Sequence, residues 1–291
     1  MNFTRGLIGE GSSFFERLFF LKKYDLLFYL TDGSIFFPTA KKNILHIQSP
    51  LAGQPAKSLW GKFKLKGWNQ IIYNSKFTQT HSEKNWPKKS AIIYPPVDTD
   101  KIRPLKKKKY ILSVGRFFGY LKDKKHELMI KTFKRMSKQL SGWSLHLAGS
   151  AQEGDKEYLQ ELKKLAEGFP VNFYPNLGYD ELIRLYGKSS IYWHGAGYGE
   201  NDPVRMEHFG ISTVEAMAAG CVPVVIAKGG QLEIVEDGKS GYIWSNLAEL
   251  NEHTLKLINN KDLMEQLSKR AVVKADTFNK NIFKQKILNL I

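Results

Sequence analysis

The second half of the chain alternates two apolar patterns. Short runs bounded by glycine or proline recur at "KKYILSVG" (108–115), "WSLHLAG" (143–149), "VNFYP" (171–175), "SIYWHG" (190–195), "CVPVVIA" (221–227) and "GYIW" (241–244). Their length predicts strands, and 221–227, apolar almost throughout, predicts a strand buried on both faces. Between them, "KHELMIKTFKRMSKQ" (125–139) carries Leu128, Met129, Phe133 and Met136 at helical spacing. "KEYLQELKKLAEGF" (156–169) and "DELIRLYGK" (180–188), whose start Asp180 favours, also read as helices. A helix from about Gly210 to Ala219 stops at Gly220. This alternation predicts an α/β fold with a parallel sheet and helices on both faces. Ligands of such sheets sit beyond the carboxyl ends of the strands, so the loops after Val114, Ala148, Pro175, Trp193 and Ala227 are expected on one rim.

The first hundred residues read as part of a second α/β unit. "DLLFYL" (25–30), "NILHI" (43–47), "QIIYN" (70–74) and "AIIYP" (91–95) are strand candidates, and "SKFTQTHSEKNW" (75–86) a helix with Ser75 near its cap. "PPVDTD" (95–100) reads as a proline-stiffened linker. The expected organisation is a partial amino-terminal Rossmann-like domain over 1–107 and a complete one over 108–275. A terminal helix over 276–291 is expected to pack back on the first.

Composition narrows the class. The chain has 291 residues, 42% hydrophobic and 25% charged, as a soluble globular protein does. Its single cysteine, Cys221, excludes an intrachain disulfide and fits a reducing compartment. Glu16, Arg17, Lys22, Lys23 and Asp25 interrupt the apolar start too often for a membrane span or signal core, so a cytoplasmic location is expected. The formal net charge is +16, and residues 101–138 hold fourteen Lys or Arg against two acids. Such a surface attracts nucleic acid, anionic lipid or a phosphorylated small molecule, and a solvated lysine-rich face accounts equally well for most of it.

Two segments carry chemistry. "EHFGISTVEAMAAGC" (207–221) places Glu207 just ahead of a helix start and Glu215 in its second turn. The free N–H groups and positive dipole of that end suit a phosphate, and Gly210 lets a ligand approach the backbone. Two carboxylates would repel that phosphate, but they suit hydroxyl groups on either side of it, as a nucleotide-sugar presents. Acids near a helix start also stabilise the helix by themselves. The second segment, "SVGRFFGYLKDKKH" (113–126), runs a strand into Gly115, Arg116 and a lysine-rich loop on the expected ligand rim. Arg116 and a lysine there could neutralise a departing diphosphate. Alone, a solvated basic loop explains it better.

Together, "SVGRF…KK", "LGYDELIRLYGKSSIYWHGAGYGE", "EHFGISTVEAMAAGCVPVV" and "GGQLEIVEDGKSGYIW" resemble the carboxyl-terminal half of the family 4 retaining glycosyltransferases. The match runs over about residues 110–245, with the E-x7-E signature on Glu207 and Glu215. The resemblance implies a GT-B fold of two Rossmann-like domains facing across a cleft, the first incomplete here. It implies that Glu207 contacts the transferred sugar, that the Phe209–Gly210–Ile211 backbone meets sugar and phosphates, and that Glu215 binds the ribose. Arg116 and Lys124, with Gly115 and Lys125 beside them, would hold the diphosphate, and Gly178 would border the base. His194 stands where many members have another residue, and a buried, hydrogen-bonded histidine is its expected state.

The first domain matches less. "NILHIQSP" (43–50) resembles the segment whose histidine approaches the reaction centre, which points to His46. The family's opening glycine-rich turn has no clear counterpart; "GEGSS" (9–13) is a candidate remnant of it, and the chain is expected to be either a fragment or naturally short. By resemblance, the reaction is front-face transfer with retention, in which the leaving phosphate takes the acceptor proton and no carboxylate nucleophile forms, unlike retaining hydrolases. Arg116→Ala is then expected to lower turnover and Glu215→Ala to weaken donor binding.

"DTD" (98–100) has the D-x-D form of metal-dependent transferases of another fold, but it sits at a linker, and the seven histidines lack zinc spacing. No metal or cofactor is expected beyond the donor, a GDP- or UDP-sugar. The expected function is hexosyl transfer, of mannose or glucose type, to a glycan or lipid-linked acceptor in envelope polysaccharide synthesis. "FFERLFFLKK" (14–23) and "KSLWGKFKLKGW" (57–68) could rest on the anionic inner face of a membrane or bury their aromatics in the first domain. A second reading is a non-catalytic nucleotide-sugar-binding subunit. A third, a nucleic-acid binder, has the charge but no zinc finger, RRM motif or basic repeat.

Overall fold

Apolar runs of four to seven residues become strands wherever both faces can be covered. A computed structural model describes residues 13–31, 33–51 and 58–290. The chain divides into two compact units, residues 1–94 with 285–291 and residues 95–284. The dividing points fall at Tyr94/Pro95 and Lys284/Gln285, so 95–107 counts with the second unit.

The first unit holds a four-stranded parallel sheet in the order β1-β2-β3-β4: β1 (Leu26–Thr31), β2 (Lys42–Ile47), β3 (Gln70–Tyr73) and β4 (Ser90–Ile92). Helix α1 (Phe14–Leu21) precedes it, with α2 (Leu59–Lys66) before β3 and α3 (Lys76–Ser82) after it. The Ser75 hydroxyl accepts from Thr78 N–H, as a cap should. The helix expected over 75–86 stops at Ser82 and closes with a 3-10 turn over Glu83–Asn85. Leu45, Ile47, Trp68, Ile71, Tyr73 and Trp86 form the core. Trp68 stacks on Tyr29 and donates its indole N–H to the Phe36 carbonyl at 3.3 Å. "GEGSS" lies, but for Ser13, outside the described residues.

The second unit is a six-stranded parallel sheet in the order β10-β9-β8-β5-β6-β7. Its strands are β5 (Lys108–Val114), β6 (Ser144–Gly149), β7 (Val171–Pro175), β8 (Ser189–His194), β9 (Val222–Ile226) and β10 (Tyr242–Trp244). All pairings are parallel, which brings the loops after Val114, Gly149, Pro175, His194 and Ile226 to one rim. Connecting helices are α4 (His126–Arg135), α5 (Lys156–Leu165), α6 (Tyr179–Lys188), α7 (Ile211–Ala218) and α8 (Gln231–Ile234). Helices α9 (Leu247–Ile258), α10 (Lys261–Asp276) and α11 (Lys280–Leu288) complete the chain. The buried run of β9 is enclosed at every position, as its composition predicts. Met129 and Phe133 of α4 pack with Leu145, Leu147 and Trp193 in the core. Helix α6 is capped at Gly178, and Asp180 stands inside its first turn rather than at the start.

Two polar ties hold the second unit. Lys107, half-buried, donates to Ser189 O (2.7 Å) and Ala219 O (2.6 Å) at the carboxyl ends of α6 and α7. There its cation meets two negative dipole ends. Cys221, fully buried beside it, donates its S–H to Tyr186 O and Ser189 O at 3.2 Å. The D-x-D carboxylates are engaged elsewhere: Asp98 pairs with Lys101 (3.1 Å) and Lys280 (2.7 Å), and Asp100 accepts from Asn279 at 3.0 Å. No helix among the described residues is long and apolar enough to cross a membrane.

Candidate active site

The rim of the second unit concentrates the chemistry. After β8 the chain runs through residues 195–209 and enters α7 at Gly210 with φ +120°, a conformation open to glycine alone. A side chain there would also meet the Gln231 amide, 2.5 Å from an added Cβ. Segment 207–210 lies against the Gly229–Gly230 turn, where Gly230 N–H donates to Glu207 O at 2.8 Å. A Cβ on Gly230 would fall 2.5 Å from Phe209 Cα. The first intrahelical bond of α7 is Thr213 N–H to Gly210 O, so the N–H groups of Ile211 and Ser212 precede the hydrogen-bonded ladder.

Glu207 is the hub. Its Oε2 accepts from Lys124 Nζ at 2.7 Å and lies 3.2 Å from His194 Nε2. Its side chain keeps 19% of its surface in solvent. Burial opposes ionisation, but Lys124 and His194 outweigh it and hold the carboxyl well below the usual range. The Lys124 stem passes directly over Gly115; a Cβ there would meet Lys124 Cγ at 2.6 Å. Lys125, in the left-handed region at φ +57°, turns instead to Glu200 Oε1 at 2.6 Å. Glu200 also faces Arg205 at 3.4 Å, and these cations lower its pKa, Lys125 most.

Glu215 has a different setting. Its single hydrogen-bond donor among the described residues is the Tyr186 hydroxyl at 3.1 Å, and burial raises its pKa. Arg116 is exposed, lying over the Phe118 ring at 4.4 Å, with no ion pair among the described residues. Gly178 caps α6, giving its N–H to Glu181 at 3.2 Å. The Phe209 ring is buried edge-on against Phe278, leaving its backbone toward the turn, and Ile211 is 46% exposed. His46, in the first unit, is buried with Nδ1 3.5 Å from the Gln48 amide and no partner on Nε2 among the described residues. Burial drops its pKa to about 4, so it is neutral at physiological pH.

The structure thus joins Gly115, Lys124 and Glu207 directly, and leaves Arg116, Glu215 and Lys125 with other partners. Sequence reading missed Glu200, Tyr186 and Gln231 and left His194 without a role. Tyr186, His194 and Gln231 sit in motif segments, yet only the fold reveals which side chain they serve. Chemically, helix N–H groups can hold an anion, and an ionised, oriented carboxylate can hold hydroxyls.

Comparison with known proteins gives the family and the fold. The family of glycosyl transferases group 1 matches residues 97–273, more than half of the chain. A GDP-Man:Man(3)GlcNAc(2)-PP-Dol alpha-1,2-mannosyltransferase from Dictyostelium discoideum is 25% identical over 245 residues, 76% of this chain and 46% of that protein. The protein of that name from Homo sapiens is 30% identical over 229 residues, 70% of this chain and 44% of the relative. The chain therefore spans less than half the length of these relatives. Among solved structures, Anabaena HepE in complex with UDP superposes with a TM-score of 0.71 at 17% identity, covering 95% of this chain and 81% of that one. TarM superposes equally well at 17% identity, over 95% of this chain and 58% of its own. The fold is the GT-B type of the glycosyltransferases. By the extent of the family match, the chain belongs to the group 1 glycosyl transferases.

Proposed function

We propose that the chain transfers a mannosyl group from GDP-mannose to a hydroxyl of a lipid-linked glycan, with retention at the anomeric carbon. The observation that carries this is the largely buried Glu207 carboxylate, kept ionised by Lys124 and His194 beside the amino end of α7. Glu207 accepts hydroxyl hydrogens of the sugar, and the Ile211 and Ser212 N–H groups receive the diphosphate. Glu215 accepts from the ribose hydroxyls. As the anomeric C–O bond to phosphate breaks, Arg116 and Lys124 take up the growing negative charge. The acceptor oxygen bonds the same face of that carbon and gives its proton to the leaving phosphate oxygen, so both nucleophile and base come from the substrates. Positive charge from side chains and helix takes the place of a divalent ion. The mannose relatives favour GDP over UDP.

A thermal-shift panel of GDP, UDP, ADP and their sugars, followed by turnover in buffer with EDTA, tests this. GDP and GDP-mannose should raise the transition most, because a ligand of the folded state alone stabilises it. Binding without transfer or donor hydrolysis would instead identify a nucleotide-sugar-binding subunit, and no shift with any nucleotide would end both readings.

A lipid-linked acceptor calls for work at the anionic cytoplasmic face of a membrane. Phe19 of α1 is 71% exposed, and Trp60 and Phe63 of α2 are 62% and 55% exposed among Lys62, Lys64 and Lys66. Rings that insert beside cations suit such a surface. Replacing Trp60 and Phe63 by serine should weaken sedimentation with phosphatidylglycerol vesicles at least about tenfold. Equal sedimentation of both proteins would remove the membrane contact.

A further inference from the structure

Glu207 Oε2 takes two donors that differ in kind. Lys124 reaches it from a loop on a four-carbon stem, with 18% of its side chain exposed. His194 is the last residue of β8, a strand paired on both sides, and its side chain is 4% exposed. One donor can swing; the other is fixed.

The hydrogen-bond chemistry sets the ring's state. An ionised carboxylate only accepts, so Nε2 carries the hydrogen that faces Glu207. Nδ1 is buried with no partner among the described residues. The same Nε2 also lies 3.4 Å from the Gln231 amide nitrogen, a packing contact once its hydrogen faces Glu207, while Gln231 Oε1 accepts from Thr213 Oγ1 at 2.9 Å. The imidazole thus packs beside the Gln231 side chain that serves the first turn of α7. With Nδ1 unpartnered, the ring's one hydrogen bond among the described residues goes to the carboxylate at the rim.

We propose that His194 is a positioning residue that keeps the Glu207 carboxylate ionised and aimed when Lys124 leaves it for the donor diphosphate. The inference rests on the donor-site reading above. Lys124 cannot neutralise Glu207 and the diphosphate to the same extent at once. Once it turns to phosphate, Glu207 would lose its hold and its aim were His194 absent. A handover of one lysine between two anions thus needs a second, immobile donor, and β8 supplies it.

The experiment compares His194→Leu, which removes the donor, with His194→Gln, whose amide N–H reaches as far as Nε2. In His194→Leu, kcat should fall about 10- to 100-fold, the loss of one hydrogen bond to a charged group, while GDP affinity stays within twofold. His194→Gln should recover most of the rate. A His194→Gln enzyme as slow as His194→Leu, or a parallel loss of GDP affinity in both, overturns the proposal. A second measurement needs no activity: the melting temperatures of Lys124→Met, His194→Leu and the double variant. Each donor backs up the other, so the double variant should lose more than the sum of the single losses. Additive losses overturn the proposal. If the unaltered chain neither binds nucleotide diphosphates nor turns over donor, the donor-site reading fails, and the melting cycle still decides what His194 does for Glu207.

Discussion

Glu207→Gln should cost the protein both its rate and its stability. Turnover of donor is expected to fall about 10²–10³-fold, the scale of losing a preorganised polar contact in a water-poor site. Folding stability at pH 7 should fall by about 2–3 kcal/mol, below the usual cost of breaking a buried pair because Lys124 can turn to solvent. The sign of the pH dependence follows from the lowered pKa. The folded state holds the Glu207 proton less tightly than the unfolded chain, whose carboxyl titrates near 4.5. The stability it contributes is therefore complete above that value and is lost as pH falls through the folded pKa. Urea midpoints of both proteins at pH 7 and pH 3 check this: the gap should be wide at pH 7 and narrower at pH 3. Equal midpoints at pH 7 would show that the ion pair holds nothing.

Glu215→Gln should act in the opposite sense on stability. Burial raises the Glu215 pKa, with Tyr186 only partly offsetting it. The unfolded chain gives up this proton first, so the charge costs the folded state stability from about pH 4.5 upward, reaching its full cost above the raised pKa. Glutamine still accepts from the Tyr186 hydroxyl but carries no charge. The variant should gain roughly 1 kcal/mol at neutral pH and converge on the parent as pH drops below 4.5. On the proposed donor site, the same change should weaken GDP binding about 10- to 100-fold, because it removes the charged acceptor proposed for the ribose hydroxyls. Melting temperature and titration calorimetry read the two effects separately. A more stable protein that binds GDP less well is the expected outcome, a carboxylate kept at a cost to the fold for what it binds. A variant that is destabilised, or one that binds GDP as tightly as its parent, would reject the assignment.

These two glutamates also show what the sequence could convey. Their spacing around Gly210, and the strands and helices of the second unit, were legible because each rests on a local pattern: enclosed apolar runs, helical periodicity and a glycine at a helix entry. Opposite pKa shifts on two carboxylates eight positions apart were not legible, because the causes lie far away in the chain. Lys124, which helps to lower Glu207, is 83 residues from it, and the burial that raises Glu215 comes from the packed fold, with Tyr186, 29 residues away, only opposing it. Lys125 and Lys124 are neighbours, yet a left-handed backbone at Lys125 sends it to Glu200 and its neighbour to Glu207. Loop length alone could not decide that. Asp98 and Asp100 likewise take their partners from Asn279 and Lys280, some 180 residues on. In the first unit the strand runs were readable, whereas α2 was not, because its aromatics face outward and break the usual link between apolar residues and burial.

The lone thiol at the foot of α7 gives the second unit a built-in clock. Cys221 has no exposed surface, its S–H is spent on two carbonyls, and burial pushes its ionisation up. A thiol reagent can reach it only when the sheet and α6 part. With no other cysteine to compete, its labelling reports those openings alone, one by one where the reagent reacts faster than the unit recloses, and a ligand that closes the unit will slow it.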